Sequence, residues 1–147
     1  MLDLLVFGCC VGDTDRHGKN YSLLLDGDGP RLAPGYDFLT VLGYEGITAN
    51  MAMRFAGQRR AAHAERLHWR RFAGQVGLAP AATAKRVEAL ALRIADAVAP
   101  TAAGLVESEP VDVTALDLFA ARIREQALLV AANSRGDTGA GQAVGSL

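Results

Sequence analysis

Three stripes of apolar residues at helical spacing fill the second half of the chain and confine it to a mainly helical fold. Trp69, Phe72, Ala73 and Val76 recur at i, i+3, i+4 and i+7. Gly77 supplies a stop and Pro80 lies just beyond it. Val87, Leu90, Ala91, Ile94 and Val98 form the second stripe, which the sequence ends before Pro100. Leu116, Phe119, Ala120, Ile123, Ala127 and Val130 form the third, with Asp112 or Thr114 as its cap. Residues 134–147 carry four glycines and no aromatic residue, and read as a flexible tail behind one domain over 1–133. Half of the 147 residues are apolar and 21% are charged, enough for a packed core without staples.

The first sixty residues read differently. Leu2 to Val11 is an apolar run that suits a buried helix or a buried strand equally well. It starts without a capping residue, so upstream sequence is expected to be missing. Gly12 to Asn20 is a loop in which seven of nine side chains are polar and two are glycines. Tyr21 to Leu25 reads as a short strand, Asp26 to Pro30 as a turn, and Arg31 to Ala33 as the returning strand. The architecture is therefore mainly α with one short β-hairpin.

A net charge of −1 argues neither for a nucleic-acid coat nor for an acidic-tail protein. Cys9 and Cys10 are adjacent and cannot staple distant segments, which suits a reducing cytoplasm. The opening run, Leu4 to Val11, is far short of the roughly 18 residues of a membrane span. No segment is expected to cross a membrane, and Asp3 argues against a signal peptide.

The reactive side chains concentrate in residues 12–37, where three motifs compete. A phosphate-binding P-loop needs four residues between its glycines and a hydroxyl residue after the lysine. Here five residues separate Gly12 from Gly18, and Asn20 follows Lys19. A calcium loop would place His17 at its fifth position and Leu24 where a bidentate glutamate belongs. The third motif, a kinase-type catalytic loop, fits. It sets an aspartate five residues before an asparagine, as Asp15 stands to Asn20. The aspartate takes a proton from a substrate hydroxyl, and the asparagine offers its amide oxygen to Mg²⁺. A further carboxylate is needed after the hairpin. Asp37 stands seventeen residues past Asn20 and is followed by Phe38, although Leu39 occupies the place of the glycine in Asp-Phe-Gly.

The segment Gly12-Asp13-Thr14-Asp15-Arg16-His17-Gly18-Lys19-Asn20-Tyr21-Ser22, followed by Leu32-Ala33-Pro34-Gly35-Tyr36-Asp37, resembles the carboxy-terminal domain of HipA-type toxin kinases. Asp13 departs from the more usual Asn or Ala. The resemblance rests on residues 12–37. It implies the large, carboxy-terminal lobe of a protein-kinase-like fold, serine/threonine kinase activity and a role in toxin–antitoxin systems and persistence. ATP and Mg²⁺ would be the cofactors. By position, Asp15 would be the catalytic base, and Asn20 and Asp37 the metal ligands. Lys19 would neutralise charge on the transferring phosphoryl group. His17 is assigned to loop architecture, its ring tied to a backbone carbonyl. The implied partners are a small DNA-binding antitoxin and a protein substrate, with aminoacyl-tRNA synthetases as precedent in the family.

A kinase also needs a small lobe with a glycine-rich loop and a strand lysine. Only eleven residues precede Gly12, and the helical stretch from residue 61 supplies neither. The small lobe would come from a longer version of the chain or from another chain. Apolar surface in residues 1–40 is then expected to face water, including the run Leu4 to Val11. One rival is a binding module that keeps the fold without catalysis. Another is a nucleic-acid-binding domain using Arg54, Arg59, Arg60, Arg66, Arg70 and Arg71, which Glu65 alone opposes. A solvated helix face explains those arginines more simply, and Trp69 and Phe72 belong to the core stripe.

Overall fold

The computed structural model describes residues 1–27 and 29–136. The opening run is a helix, α1 (Leu2–Val11), with Val6, Cys9 and Cys10 buried. Gly12 ends it at φ 71°, and the amide of Asp13 returns to the carbonyl of Gly8 at 2.9 Å. Glycine adopts this left-handed conformation without the penalty a Cβ brings. Burial pushes both thiols up, Cys10 to about 12, so neither is a nucleophile at neutral pH.

A 3₁₀ turn over Gly18–Asn20 leads into a two-stranded antiparallel hairpin, β1 (Leu23–Asp26) and β2 (Gly29–Leu32). The register pairs Leu23 with Leu32 and Leu25 with Pro30. β1 starts two residues later than the sequence suggests, because Tyr21 still closes the 3₁₀ turn onto Gly18. β2 starts earlier and takes in Pro30. In a ribbon of two strands each has a free edge, where a missing amide costs little. Asp28, in the turn, lies outside the described residues.

Residues 33–65 are irregular apart from a 3₁₀ turn over Ala61–His63. They place Met51, Phe55, Ala61 and Ala64 in the core. Phe55 stacks on Trp69 of α2 (Arg66–Gln75) at 4.5 Å between ring centroids. Gly77, at φ 73°, follows α2, and Pro80 opens α3 (Pro80–Ser108) at a position where its missing amide is harmless.

α3 overturns the expected stop at Pro100 and continues to Ser108. Proline removes one helix bond and costs roughly 3 kcal/mol in an isolated helix. Here Thr101 Oγ1 donates to the carbonyl of Ala97 at 2.7 Å beside the break. The helix ends instead just ahead of Pro110, whose ring disfavours helical backbone in Glu109. α4 (Val113–Arg135) begins at Asp112, whose carboxylate accepts from the amide of Ala115 at 3.1 Å.

The core joins α1, α2, α3 and α4. Val87, Ala91 and Ala95 of α3 lie in one cluster with Ala127, Val130 and Ala131 of α4, and with Val6 of α1 and Trp69 of α2. Contrary to the expectation that no segment could span a membrane, α3 is long and apolar enough by length and composition alone. Its Val87, Ala91 and Ala95 serve the internal core, while only a minor share of its apolar stretch is buried. Small side chains let α3 and α4 approach closely. α4 reaches Arg135, with Ser134 2% exposed, so Ser134 and Arg135 belong to the helix and not to the expected tail. Residues 137–147 lie outside the described residues.

Candidate active site

The loop after α1 is built by its own polar groups. Asp13 is buried and accepts from Arg16 Nε at 2.9 Å through one oxygen and from the amide of Asp15 at 3.1 Å through the other. An aspartate that bonds the backbone two residues on imposes a tight turn. Asp15, at the end of that turn, is exposed. The 3₁₀ turn follows, and its last residue, Asn20, is 5% exposed. Asn20 Oδ1 accepts from the amide of His17 at 3.1 Å, which fixes the amide plane.

The second half of the site arrives through Tyr36 and Asp37. Tyr36 donates its hydroxyl to the carbonyl of Lys19 at 2.9 Å. Its oxygen lies 2.8 Å from Ser22 Oγ. A phenol has one proton, so Ser22 is the donor in that pair. The motif tyrosine therefore bolts the segment after the hairpin to the end of the loop. Asp37 follows at φ 54°, a left-handed conformation that is uncommon outside glycine and tolerated best by Asp and Asn. Its Oδ2 accepts from Asn20 Nδ2 at 2.6 Å.

The fold thus brings Asn20 and Asp37 together across seventeen residues of chain. Asp15 and Lys19 belong to the same loop as Asn20, with both side chains exposed. The Lys19 carbonyl, unlike its ammonium group, already has a structural partner in Tyr36. The ring assignment for His17 is corrected: its amide makes the tie, and ring Nδ1 is buried without a partner among the described residues. Sequence reasoning gave Arg16 no role. Its signal was available as an opposite charge three residues from Asp13, but only the fold shows the pair to be buried.

Asn20 Oδ1 keeps one lone pair, and Asp37 keeps a second carboxylate oxygen. These are hard oxygen donors of the kind that suit Mg²⁺ together with phosphate oxygens. Two protein groups are too few for a closed metal cage. No cluster of three or more His, Cys, Asp or Glu with metal-site geometry occurs among the described residues.

The arginine cluster is spread over loop and helix, with all six side chains exposed. Arg60 Nε donates to Asn50 Oδ1 at 3.3 Å, and Arg66 Nη1 donates to the carbonyl of Arg135, also at 3.3 Å. Trp69 is fully buried and Phe72 half-buried, as the core stripe requires.

Comparison with known proteins gives the family of the chain. The chain is 36% identical over 99 residues to Y4mE of Sinorhizobium fredii, which is named as a presumed kinase. That match covers 67% of this chain and 24% of Y4mE. Over 53 residues it is 38% identical to the serine/threonine-protein kinase toxin HipA of Shewanella oneidensis, covering 36% of this chain and 12% of HipA. The fold is similar to a solved structure from Shewanella oneidensis in which HipA and HipB are complexed with their operator DNA. The TM-score is 0.74 at 25% identity, over 92% of this chain and 31% of that one. The chain therefore spans well under half the length of these relatives. The profile of the HipA-like C-terminal domain family matches residues 1–100, and the chain belongs to that family.

Proposed function

We propose that the chain carries the catalytic loop and metal-binding edge of an ATP- and Mg²⁺-dependent serine/threonine kinase of the HipA type, built as a protein-kinase-like large lobe. The contact between Asn20 and Asp37 carries the reading. A hairpin's length of chain separates them, and the fold spends a left-handed aspartate and a buried amide to make them meet. Kinase chemistry needs that pairing of amide and carboxylate, next to an aspartate that can take a proton.

In this reading Asp15 accepts the proton of a serine or threonine hydroxyl as that oxygen attacks the γ-phosphorus of ATP and ADP leaves. Its exposure gives a protein substrate access. Asn20 and Asp37 would hold Mg²⁺, which supplies charge neutralisation on the nucleotide phosphates. Lys19 adds a mobile positive charge. The glycine-rich loop and strand lysine would come from sequence beyond these 147 residues, consistent with the short share of each relative that is matched. A small DNA-binding antitoxin is the proposed partner, in line with the HipB and operator DNA that accompany HipA in the similar structure.

Titration with ATP, with and without Mg²⁺, tests the reading. Weak binding that requires Mg²⁺ and is lost in Asp37→Asn is expected, with an unchanged melting temperature. Asparagine tolerates the left-handed backbone, so that variant removes charge without adding strain. Phosphoryl transfer by this chain alone should be slow or undetectable, because half of the phosphate-positioning groups are absent. Binding that ignores both Mg²⁺ and Asp37 would overturn the assignment.

A further inference from the structure

Arg16 is buried to 5% exposure inside the loop that carries the proposed catalytic base, and it reaches across to the Tyr36-Asp37-Phe38 segment of the other half-site. Its Nε donates to Asp13 Oδ2 at 2.9 Å. Its Nη2 donates to two successive carbonyls of the other half-site, Tyr36 at 3.0 Å and Asp37 at 3.1 Å. The guanidinium carbon lies 3.4 Å from the centre of the Phe38 ring, which meets Phe7 of α1 edge-on at 4.7 Å. The side chain runs along α1 where Gly8 leaves room: a Cβ there would stand 3.3 Å from Arg16 Cδ.

We infer that Arg16 is a positioning residue for the metal edge, and that Asp13 is present to fix its orientation. This rests on the assignment of Asn20 and Asp37 to Mg²⁺-nucleotide binding. A carboxylate in a left-handed backbone needs its peptide plane held from behind, and the Asp37 carbonyl is what Arg16 grips. The Tyr36 carbonyl holds the preceding plane, and the Phe38 ring on the guanidinium face holds the following residue. Three consecutive residues are thus set by one side chain, and the Asp37 carboxylate is left aimed at Asn20. Only a planar fork can donate to carboxylate and carbonyls while stacking on a ring. A lysine retains the charge and loses the geometry. The usual Asn or Ala at position 13 could not neutralise a buried guanidinium, which explains the departure at Asp13.

The test is nuclear magnetic resonance of the full chain, following the side-chain amide of Asn20 with the Trp69 indole as a control for the fold. The wild-type Asn20 amide should show a downfield proton bonded to the Asp37 carboxylate. In Arg16→Lys that proton should move to the position of a solvated asparagine while the indole signal stays. Mg²⁺-dependent ATP affinity should fall at least tenfold, and Lys should not rescue it. Phe38→Leu leaves both buried charges in place and covers the case in which Arg16→Lys does not fold. It should move the Asn20 proton in the same direction by a smaller amount. An unmoved Asn20 proton in either folded variant overturns the inference. If wild type binds no ATP, the kinase reading fails, yet the amide signal still decides whether Arg16 positions Asp37.

Discussion

α1 and the hairpin flank the same polar loop, and both are rich in leucine, yet they meet solvent differently. In α1, Val6 and Cys10 are completely buried. In β1, Leu23 is 61% exposed and Leu25 is 82% exposed. The sequence led us to expect some apolar exposure in both; the hairpin shows it broadly, and α1 shows it at Phe7, which is 36% exposed. A helix needs one face covered, and α3 and α4 cover that of α1. A ribbon of two strands has two faces, and nothing among the described residues packs over the leucines of β1. The helical side of the site is self-supporting, whereas the hairpin side depends on a few polar bolts and presents a surface fit to be covered.

The sharpest way to break this contrast is in the core. Trp69→Ala removes a fully buried indole stacked on Phe55 and should cost about 3–5 kcal/mol, read by chemical denaturation. Loss of less than about 1 kcal/mol would contradict the picture of a self-supporting core. Gly12→Ala attacks the joint between core and loop. The new Cβ would fall 2.4 Å from Leu42 Cγ, at a φ of +71°. Left-handed strain costs roughly 1–2 kcal/mol. Overpacking adds about 1–3 kcal/mol. The two together should lower the melting temperature and shift loop amide resonances.

On the hairpin side the effects shrink. Tyr36→Phe removes the bond to the Lys19 carbonyl and strands Ser22, for about 1 kcal/mol. Hydrogen exchange should quicken at Ala33, whose amide pairs with Ser22, while α3 and α4 keep their protection. Leu25→Lys should change stability by less than about 0.5 kcal/mol, because the side chain is already in water. It should also reduce any concentration-dependent association seen by sedimentation. A large loss of stability there would mean that the exposed strand is covered by something in solution.

The smallest effect lies where α1 meets α3. The Arg86 guanidinium bonded to Asp3 holds its carboxyl below the usual carboxylate range. A lowered folded pKa gives stability that is present above the unfolded value and is lost as pH falls through the folded one. Both side chains are about half exposed, so water screens the pair. Wild type and Arg86→Gln should melt slightly apart at neutral pH and converge below the normal pKa of aspartate. A gap that widens in acid would reverse the sign and reject the pairing.

Local pattern made much of this legible. The stripes carrying Trp69, Val87 and Val130 declared their helices, because helical period is written in residue order. Asp15, Asn20 and Asp37 stood out by their spacing, and the fold brings the last two into contact. Pro100 misled because one lost helix bond does not stop a 29-residue helix, and Thr101 bonds the Ala97 carbonyl beside the break. The run Leu2 to Val11 could not declare itself, since an apolar run has no period to read.

By itself, then, the sequence determined the helical class, the hairpin and the set of groups offered for chemistry, all properties of neighbouring residues. Only the tertiary structure decided that Arg16 is a buried fork, that Tyr36 is a bolt, and that Asn20 meets Asp37 at 2.6 Å. The reason is that a hydrogen bond depends on distance and direction to within a fraction of an ångström. Such precision between residues seventeen apart exists only once α1 and the segments around it have packed.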